Sequence, residues 1–354
     1  MKSPINTGII GYGASGKYFH APFIYAHPGY NLCTVVERSG NEAVKTYPGI
    51  KTLRTSDELF NDPEIELVVI TTPNDTHFEL AYAALQAGKH VIVEKPFTST
   101  TFEASELIRI GRLKNKLVTV YHSRRFESDY LTIKEIIRSG KVGEVVEFES
   151  FFDRFRPKPN PKIWKETPKP GIGLLYDLGS HLVDQALDLF GLPVSVTADI
   201  RAFRESSQVD DYFMIRLDYT SHITVLKASS FVLKEGPRYQ LYGKKGSFIK
   251  YGVDEQEELL KQGHTPDETD WGVEKEINWG RLYTAENDQV REEIIPSEHG
   301  SYMNFYENIF QVIRNQAELI IKPEQIYLVI RILELALESS AQKRSIPFNM
   351  PQNF

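Results

Sequence analysis

The segment Gly11-Tyr12-Gly13-Ala14-Ser15-Gly16 constrains this chain more than any other. It follows a short apolar run, Thr7 to Gly11, and opens a stretch of helical pattern from Gly16 to about Ala26. A strand that breaks into glycines spaced G-x-G-x-x-G and then enters a helix has a mechanical meaning. The first glycine permits the tight turn, the second lets the backbone approach a pyrophosphate, and the third lets helix and strand pack closely. Free N–H groups at the helix start then present partial positive charge to the phosphates. Tyr12, Ala14 and Ser15 line the same turn, so the expected ligand is a dinucleotide, NAD or NADP.

The surroundings suit that reading. Further apolar runs occur at Leu32–Val36, Leu67–Thr71, His90–Val93 and Leu117–Tyr121, with helical stretches at Thr76–Ala87 and about Thr101–Lys114. Strands alternating with helices imply crossover units and a parallel sheet. Short, nearly continuous apolar runs imply strands buried on both faces. After Tyr121 the pattern changes. Ser128–Arg138 reads as a helix stopped at Gly140, Val145–Phe152 as a strand, Pro157–Pro170 as an irregular loop, and Asp177–Phe190 as a helix closed by Gly191. Val194–Lys250 is mostly strand with little helix, which predicts a largely antiparallel sheet. Asp254–Val290 is polar and weakly patterned and receives no assignment. Near the end, Ile326, Val329, Ile330, Leu333, Ala336 and Leu337 recur at helical spacing. A chain of 354 residues exceeds what one core usually serves, so two domains are expected.

The net charge of -7, without a block of like charge, argues against nucleic acid or a membrane surface as partner. The lone Cys33 lies in an apolar run, reads as a buried bystander, and fits a reducing compartment. No leader peptide is visible and no run approaches the ~20 apolar residues of a membrane span, so a cytoplasmic location is expected.

The second strand ends at Glu37, where a carboxylate can accept hydrogen bonds from the adenosine ribose, which favours NAD. Arg38 and Ser39 follow at once and suit a 2′-phosphate, which favours NADP; the two signals point opposite ways. Glu94-Lys95-Pro96 falls at the end of the fourth strand, the edge at which open parallel sheets bind ligands. An ammonium there can hydrogen-bond a substrate hydroxyl, and Pro96 restricts the backbone of Lys95. Asp177 and His181 are four apart, and on a helix they share one face. Histidine suits removal of an alcohol proton near neutral pH, and a nearby carboxylate can position substrate and raise its basicity. The alternative is a helix-capping Asp177 and a satisfied core His181. A zinc site is poorly supported by one histidine, one aspartate and no usable cysteine, so no metal is expected.

These segments, taken with Thr71-Thr72-Pro73-Asn74 and His77, occur in an order that resembles the glucose-fructose oxidoreductase, inositol dehydrogenase and MocA-type family nearly end to end. The resemblance implies an α/β fold: an N-terminal Rossmann domain (1–122) and an α/β domain (123–354) with a large, mostly antiparallel open sheet. The helix at 324–343 is expected to pack back on the Rossmann domain. It implies Lys95, Asp177 and His181 as the catalytic set, and Thr72, Pro73, Asn74, His77, Glu94 and Lys95 beside the nicotinamide. Tyr121 to Phe126, Phe152 to Pro157, Leu175 to Phe190 and Gly236 to Tyr239 look like the branch that holds NADP-dependent scyllo-inositol dehydrogenase. Arg124, Arg125, Asp153, Arg154, Trp164 and Tyr239 are the further candidates for a polyol or sugar substrate; the alternative for the two adjacent arginines is a purely structural tie. The resemblance implies a dehydrogenase acting on CH–OH groups and a homodimer or homotetramer. A competing reading is a dinucleotide-binding sensor or regulator without catalysis, which would have no need of Lys95, Asp177 and His181 together.

Overall fold

A computed structural model describes residues 2–205, 207–286 and 289–350. The first stretch alternates strand and helix: β1 (Ile5–Ile10), α1 (Ala21–Ala26), β2 (Tyr30–Val36), α2 (Glu42–Thr46), β3 (Lys51–Leu53), α3 (Ser56–Phe60), β4 (Leu67–Ile70), α4 (His77–Gln86), β5 (His90–Val93), α5 (Thr101–Lys114) and β6 (Val118–Val120). The strands form one sheet in the order β3-β2-β1-β4-β5-β6, with every pairing parallel. The order reverses between β1 and β4, which opens a crevice at their C-terminal ends. Leu67 to Ile70 and Val91 to Val93 are fully buried, as strands covered on both faces must be. Local chemistry fixes the helix ends. The Thr100 hydroxyl and the Glu103 carboxylate form a capping box at the start of α5, and Asn115 closes it in the left-handed conformation.

One departure lies just after the glycines. The chain makes a π-helical turn, Ser15–His20, before α1 starts. Pro22 has no N–H to give an unbroken α-helix, but it fits the first turn of a new one.

The later stretch holds α6 (Ser128–Ser139), β7 (Val145–Phe151), α7 (Ser180–Phe190), β8 (Ser195–Arg201), β9 (Tyr212–Asp218), β10 (Ile223–Ser229), β11 (Tyr239–Gly243), β12 (Gly246–Lys250), α8 (Gln256–Gln262), β13 (Gly280–Glu286), β14 (Gln289–Ile295), α9 (Met303–Asn315), α10 (Pro323–Gln342) and β15 (Ile346–Pro347). Its strands form a nine-stranded sheet, β14-β13-β12-β11-β7-β10-β9-β8-β15. Among the described residues, β7–β10 is the one parallel pairing of this sheet. One face carries the core. Leu182, Val183 and Ala186 of α7 pack with Phe213, Ile215 and Leu217 of β9, and Ile133 and Ile136 of α6 pack with Phe148 and Tyr239. No helix of the described residues is long and apolar enough to cross a membrane.

The chain does not divide into two contiguous stretches. One compact unit comprises Met1–Phe126, Glu255–Trp271 and Ser301–Tyr327; the other comprises Glu127–Asp254, Gly272–Gly300 and Leu328–Phe354. The helix expected at 324–343 runs across the division between the units. Residues up to Tyr327 count with the first unit, but Val329, Ile330, Leu333 and Ala336 enter the second unit's core beside Leu175 and Leu182. The first unit is tied by Gln256, which has no exposed surface. Its Oε1 accepts from Trp271 Nε1 at 2.9 Å and from the Tyr302 N–H at 2.8 Å, and its Nε2 donates to the Phe126 carbonyl at 3.4 Å. One amide thus joins all three stretches. Gln256→Leu keeps the volume but takes the Oε1 acceptor from two buried donors, the Trp271 indole N–H and the Tyr302 N–H, each bond worth about 1–3 kcal/mol. Chemical denaturation should show a loss of about 3–5 kcal/mol, and a loss below 1 kcal/mol would refute the role.

Candidate active site

The glycine turn sits at the crevice end of β1. Gly11 has φ +94°, open to glycine and costly for other residues. A Cβ on Gly16 would lie 2.4 Å from the Gly11 carbonyl oxygen, so only glycine lets the entering helix come this close to the strand. The Thr71 hydroxyl at the end of β4 bonds the Gly11 carbonyl at 2.8 Å and closes the other wall. Gly13 has nothing within 4 Å of an ideal Cβ, and both it and Ala14 are exposed. The turn is therefore tight where the strand needs it and open where a pyrophosphate would approach, which fits a dinucleotide.

The adenosine side departs from expectation. The Glu37 carboxylate is buried and turned to the start of α2, where Oε1 accepts from the Ala43 N–H at 3.0 Å and Oε2 from the Glu42 N–H at 3.1 Å. It satisfies two otherwise orphan donors of that helix and adds charge of the favourable sign there. Arg54 Nη1 binds the carbonyls of Glu37 and Gly40, at 2.9 and 2.6 Å, and holds the loop. Arg38 and Ser39 are exposed on it.

Lys95 follows β5, on the same sheet edge as the glycine turn, and the Lys95–Pro96 peptide is cis. Its backbone N–H donates to Glu94 Oε2 at 2.9 Å. Burial alone would push the Glu94 carboxyl upward, but the His20 hydrogen bond and the Lys95 charge hold it below the usual range. A carboxylate absent from the sequence-based candidates also acts here: Glu257 of α8 pairs with Arg124 Nη2 at 3.1 Å. Burial raises the Glu257 carboxyl, and Arg124, Lys261 and Lys95 outweigh it and hold the value low. Glu257 lies in the polar segment whose periodicity shows no face, so no sequence signal marked it. Arg125 is buried and donates to Gln325 Oε1 at 3.3 Å. Both arginines thus brace stretches of the first unit. His77 is held by backbone carbonyls. It is fully buried, with Nδ1 2.9 Å from the Pro96 carbonyl and Nε2 3.0 Å from the Thr72 carbonyl. Thr72, Pro73 and Asn74 are half-buried beside it, with the Thr72 hydroxyl 2.6 Å from that of Thr76.

In the second unit Asp177 lies on a π-helical turn, Leu175–Gly179, and His181 on the first turn of α7. The continuous helix expected from Asp177 is therefore two elements. Asp177 is partly exposed and meets Arg154 Nη2 at 3.5 Å, while His181 is buried. Asp153 is mostly buried against Lys227 Nζ at 2.9 Å. Trp164 sits on a short turn in the proline-rich loop with Lys165 Nζ over its ring. Tyr239 has no exposed surface, stacks on Phe148 and donates its hydroxyl to Gln185 Oε1 at 3.0 Å.

The turn that carries Asp177 is anchored by Asp210, whose Oδ2 accepts from the Leu175 N–H at 2.7 Å. Gly173, at φ +114°, makes this possible, since a Cβ there would lie 1.9 Å from Asp210 Oδ1. Burial pushes the Asp210 carboxyl up to about 6. Its folded value lies above its unfolded value of ~4, so the folded chain holds this proton more tightly. The resulting stability is complete below pH ~4 and is lost as pH rises through about 6, at most about 3 kcal/mol. Urea unfolding at stepped pH should show this fall, flattened in Asp210→Asn; an unchanged slope in the variant would refute it.

Two family descriptions match the chain: "Oxidoreductase family, NAD-binding Rossmann fold" over residues 5–122 and "Oxidoreductase family, C-terminal alpha/beta domain" over 134–348. Among curated proteins, scyllo-inositol 2-dehydrogenase (NADP(+)) IolW of Bacillus subtilis is 41% identical over 97% of this chain and 95% of its own length. An uncharacterized oxidoreductase of Escherichia coli, YdgJ, is 40% identical over 98% and 99%. Among solved structures, the oxidoreductase yvaA of Bacillus subtilis superposes with TM-score 0.95 at 41% identity, covering 98% of this chain and 99% of that one. The glycine turn on a 3-2-1-4-5-6 sheet, the open nine-stranded sheet and these likenesses agree, and the chain belongs to the Gfo/Idh/MocA oxidoreductase family.

Proposed function

We propose that this oxidoreductase transfers hydride between NADP and a ring or chain CH–OH of a small polyol or sugar, with scyllo-inositol the first substrate to test. The observation that carries the reading is the placement of Lys95. It stands at the C-terminal end of β5, on the sheet edge that also holds the glycine turn, with its backbone N–H on Glu94 and its charge favouring the ionised carboxylates of Glu94 and Glu257. The bound dinucleotide supplies hydride acceptance. The chain's own groups do the rest. His181 takes the hydroxyl proton, Asp177 orients the hydroxyls, and the Lys95 ammonium donates to the oxygen that gains negative charge. In the reverse direction the same groups return the proton to a carbonyl oxygen. A homodimer or homotetramer through the open sheet face accompanies this reading.

The preference for NADP is supported by the loop after β2. Glu37 is engaged by the start of α2, while Arg38 and Ser39 are exposed for a 2′-phosphate. Charge-assisted hydrogen bonds are worth about 1.5–3 kcal/mol. Arg38→Ala should therefore cut kcat/KM for NADP by about 10- to 100-fold and leave NAD within a few-fold; an unchanged ratio refutes the preference. Steady-state assays of His181→Ala across inositol isomers and aldoses should show turnover lowered by ~10²–10⁴-fold with dinucleotide affinity unchanged. Loss of folding or of dinucleotide binding would instead make His181 structural and sink the assignment.

A further inference from the structure

Three buried polar groups stand in line behind Lys95. Glu94 joins Lys95 to that line: its Oε2 accepts the Lys95 backbone N–H at 2.9 Å, and its Oε1 lies 3.0 Å from His20 Nε2. On the far side of the imidazole, Nδ1 lies 2.6 Å from the Tyr306 hydroxyl. His20 and Tyr306 have no exposed surface, and Glu94 has almost none. The imidazole is further held against the Tyr121 ring, with centroids 4.4 Å apart, and the Tyr306 backbone is held by the Tyr30 hydroxyl, which donates to its carbonyl at 2.6 Å.

The hydrogen bonds run in one sense. A carboxylate accepts only, so the proton between Glu94 and His20 belongs to Nε2. In the uncharged imidazole that leaves Nδ1 as the acceptor, and the Tyr306 hydroxyl, 2.6 Å away, is its donor. Tyr306 thus selects the tautomer of His20, His20 fixes the rotation of the Glu94 carboxylate, and Glu94 fixes the turn that presents Lys95. Burial pushes the Tyr306 hydroxyl well above its ordinary value, so it stays protonated and able to donate. On the other side of Lys95, His77 reaches the Pro96 carbonyl. A buried imidazole therefore bounds the turn on each side.

We propose that His20, oriented by Tyr306, is a positioning residue for Lys95 that acts through the carboxylate of Glu94. The inference rests on the catalytic reading of Lys95 given above. Neither His20 nor Tyr306 meets substrate or dinucleotide in it, and their effect is on the placement of the ammonium. Misplacing a reacting group by an ångström can cost about 100-fold in rate.

The test uses the full-length protein in four variants. His20→Phe keeps an aromatic ring and loses the donor. His20→Gln carries an amide N–H at about the reach of Nε2. Tyr306→Phe keeps the ring and loses the hydroxyl. Lys95→Ala tests the underlying reading. Two readouts are taken: turnover with NADP and scyllo-inositol, and the rate at which an amine-directed reagent modifies Lys95, followed by peptide mass spectrometry and normalised to Lys114, which is exposed on α5. His20→Phe should lower kcat by about 10- to 100-fold with NADP affinity within twofold, and should change the normalised Lys95 rate by at least about threefold. His20→Gln should restore both to near the wild-type values, and Tyr306→Phe should fall between.

A wild-type Lys95 labelling rate in folded His20→Phe overturns the proposal, whatever the turnover. So does equal damage in His20→Phe and His20→Gln, which marks a packing role. Should His20→Phe fail to fold, Tyr306→Phe and His20→Gln decide through the labelling rate. If Lys95→Ala keeps full turnover, the catalytic reading falls and the positioning of a catalytic lysine falls with it; if Lys95→Ala is inactive while His20→Phe matches wild type, only the positioning falls. Labelling needs no substrate, so it decides the positioning even if scyllo-inositol is not turned over.

Discussion

The absence of a side chain at Gly16 is the constraint on which the first unit depends. A methyl group there would stand 2.4 Å from the Gly11 carbonyl oxygen and 3.0 Å from the Thr71 hydroxyl. The end of β1, the end of β4 and the entry to the following helix are therefore packed to within less than one carbon atom. That packing occurs where the sheet reverses its order, so the turn is closed at Gly16 and open at Gly13. The ligand edge, the Lys95 turn and the loop at Glu37 all take their places from this closure, because parallel strands share one direction and end on one side.

What was legible in the sequence follows from how each residue satisfies its surroundings. Strands such as Leu67–Ile70 are buried on both faces, so their chemistry is uniform and visible as an apolar run. The helix at Ser128–Ser139 announces its end with Gly140, which takes φ +67°. By contrast, α8 hides its inward face, since the residue it buries most deeply is Gln256, made acceptable by three hydrogen bonds to distant residues. No local pattern encodes such partners.

The candidate site shows the same division. Residue types and their order identified Lys95, Asp177 and His181 as candidates, but not what each neighbour does. A carboxylate at the end of β2 reads the same whether it faces a ribose or the start of α2, and only the fold turns Glu37 toward Glu42 and Ala43. Tyr239 sits beside Arg238 in a segment with the look of a binding loop, yet it lies inside the second unit's core. His20 carried no signal at all, because its partners are 74 and 286 residues away. Buried hydrogen bonds between remote residues are invisible to periodicity and decide much of the detail around Lys95.

The division of the first unit into three stretches, joined by the amide of Gln256, bears on the order in which the chain can be assembled. The first unit is made of three stretches, and its last begins at Ser301. During synthesis the six strands can pair early, since their contacts are local to the first third of the chain. Trp271, Tyr302 and Tyr306, which pack around Phe23 at ring separations near 6 Å, arrive only after most of the second unit has been made. The dinucleotide half is thus begun first and completed only when residues 301–327 emerge, and its apolar flank stays uncovered until the chain's final quarter is made. A nascent chain of this design is most in need of chaperone cover in that interval, although the fold's first element is also the first one translated.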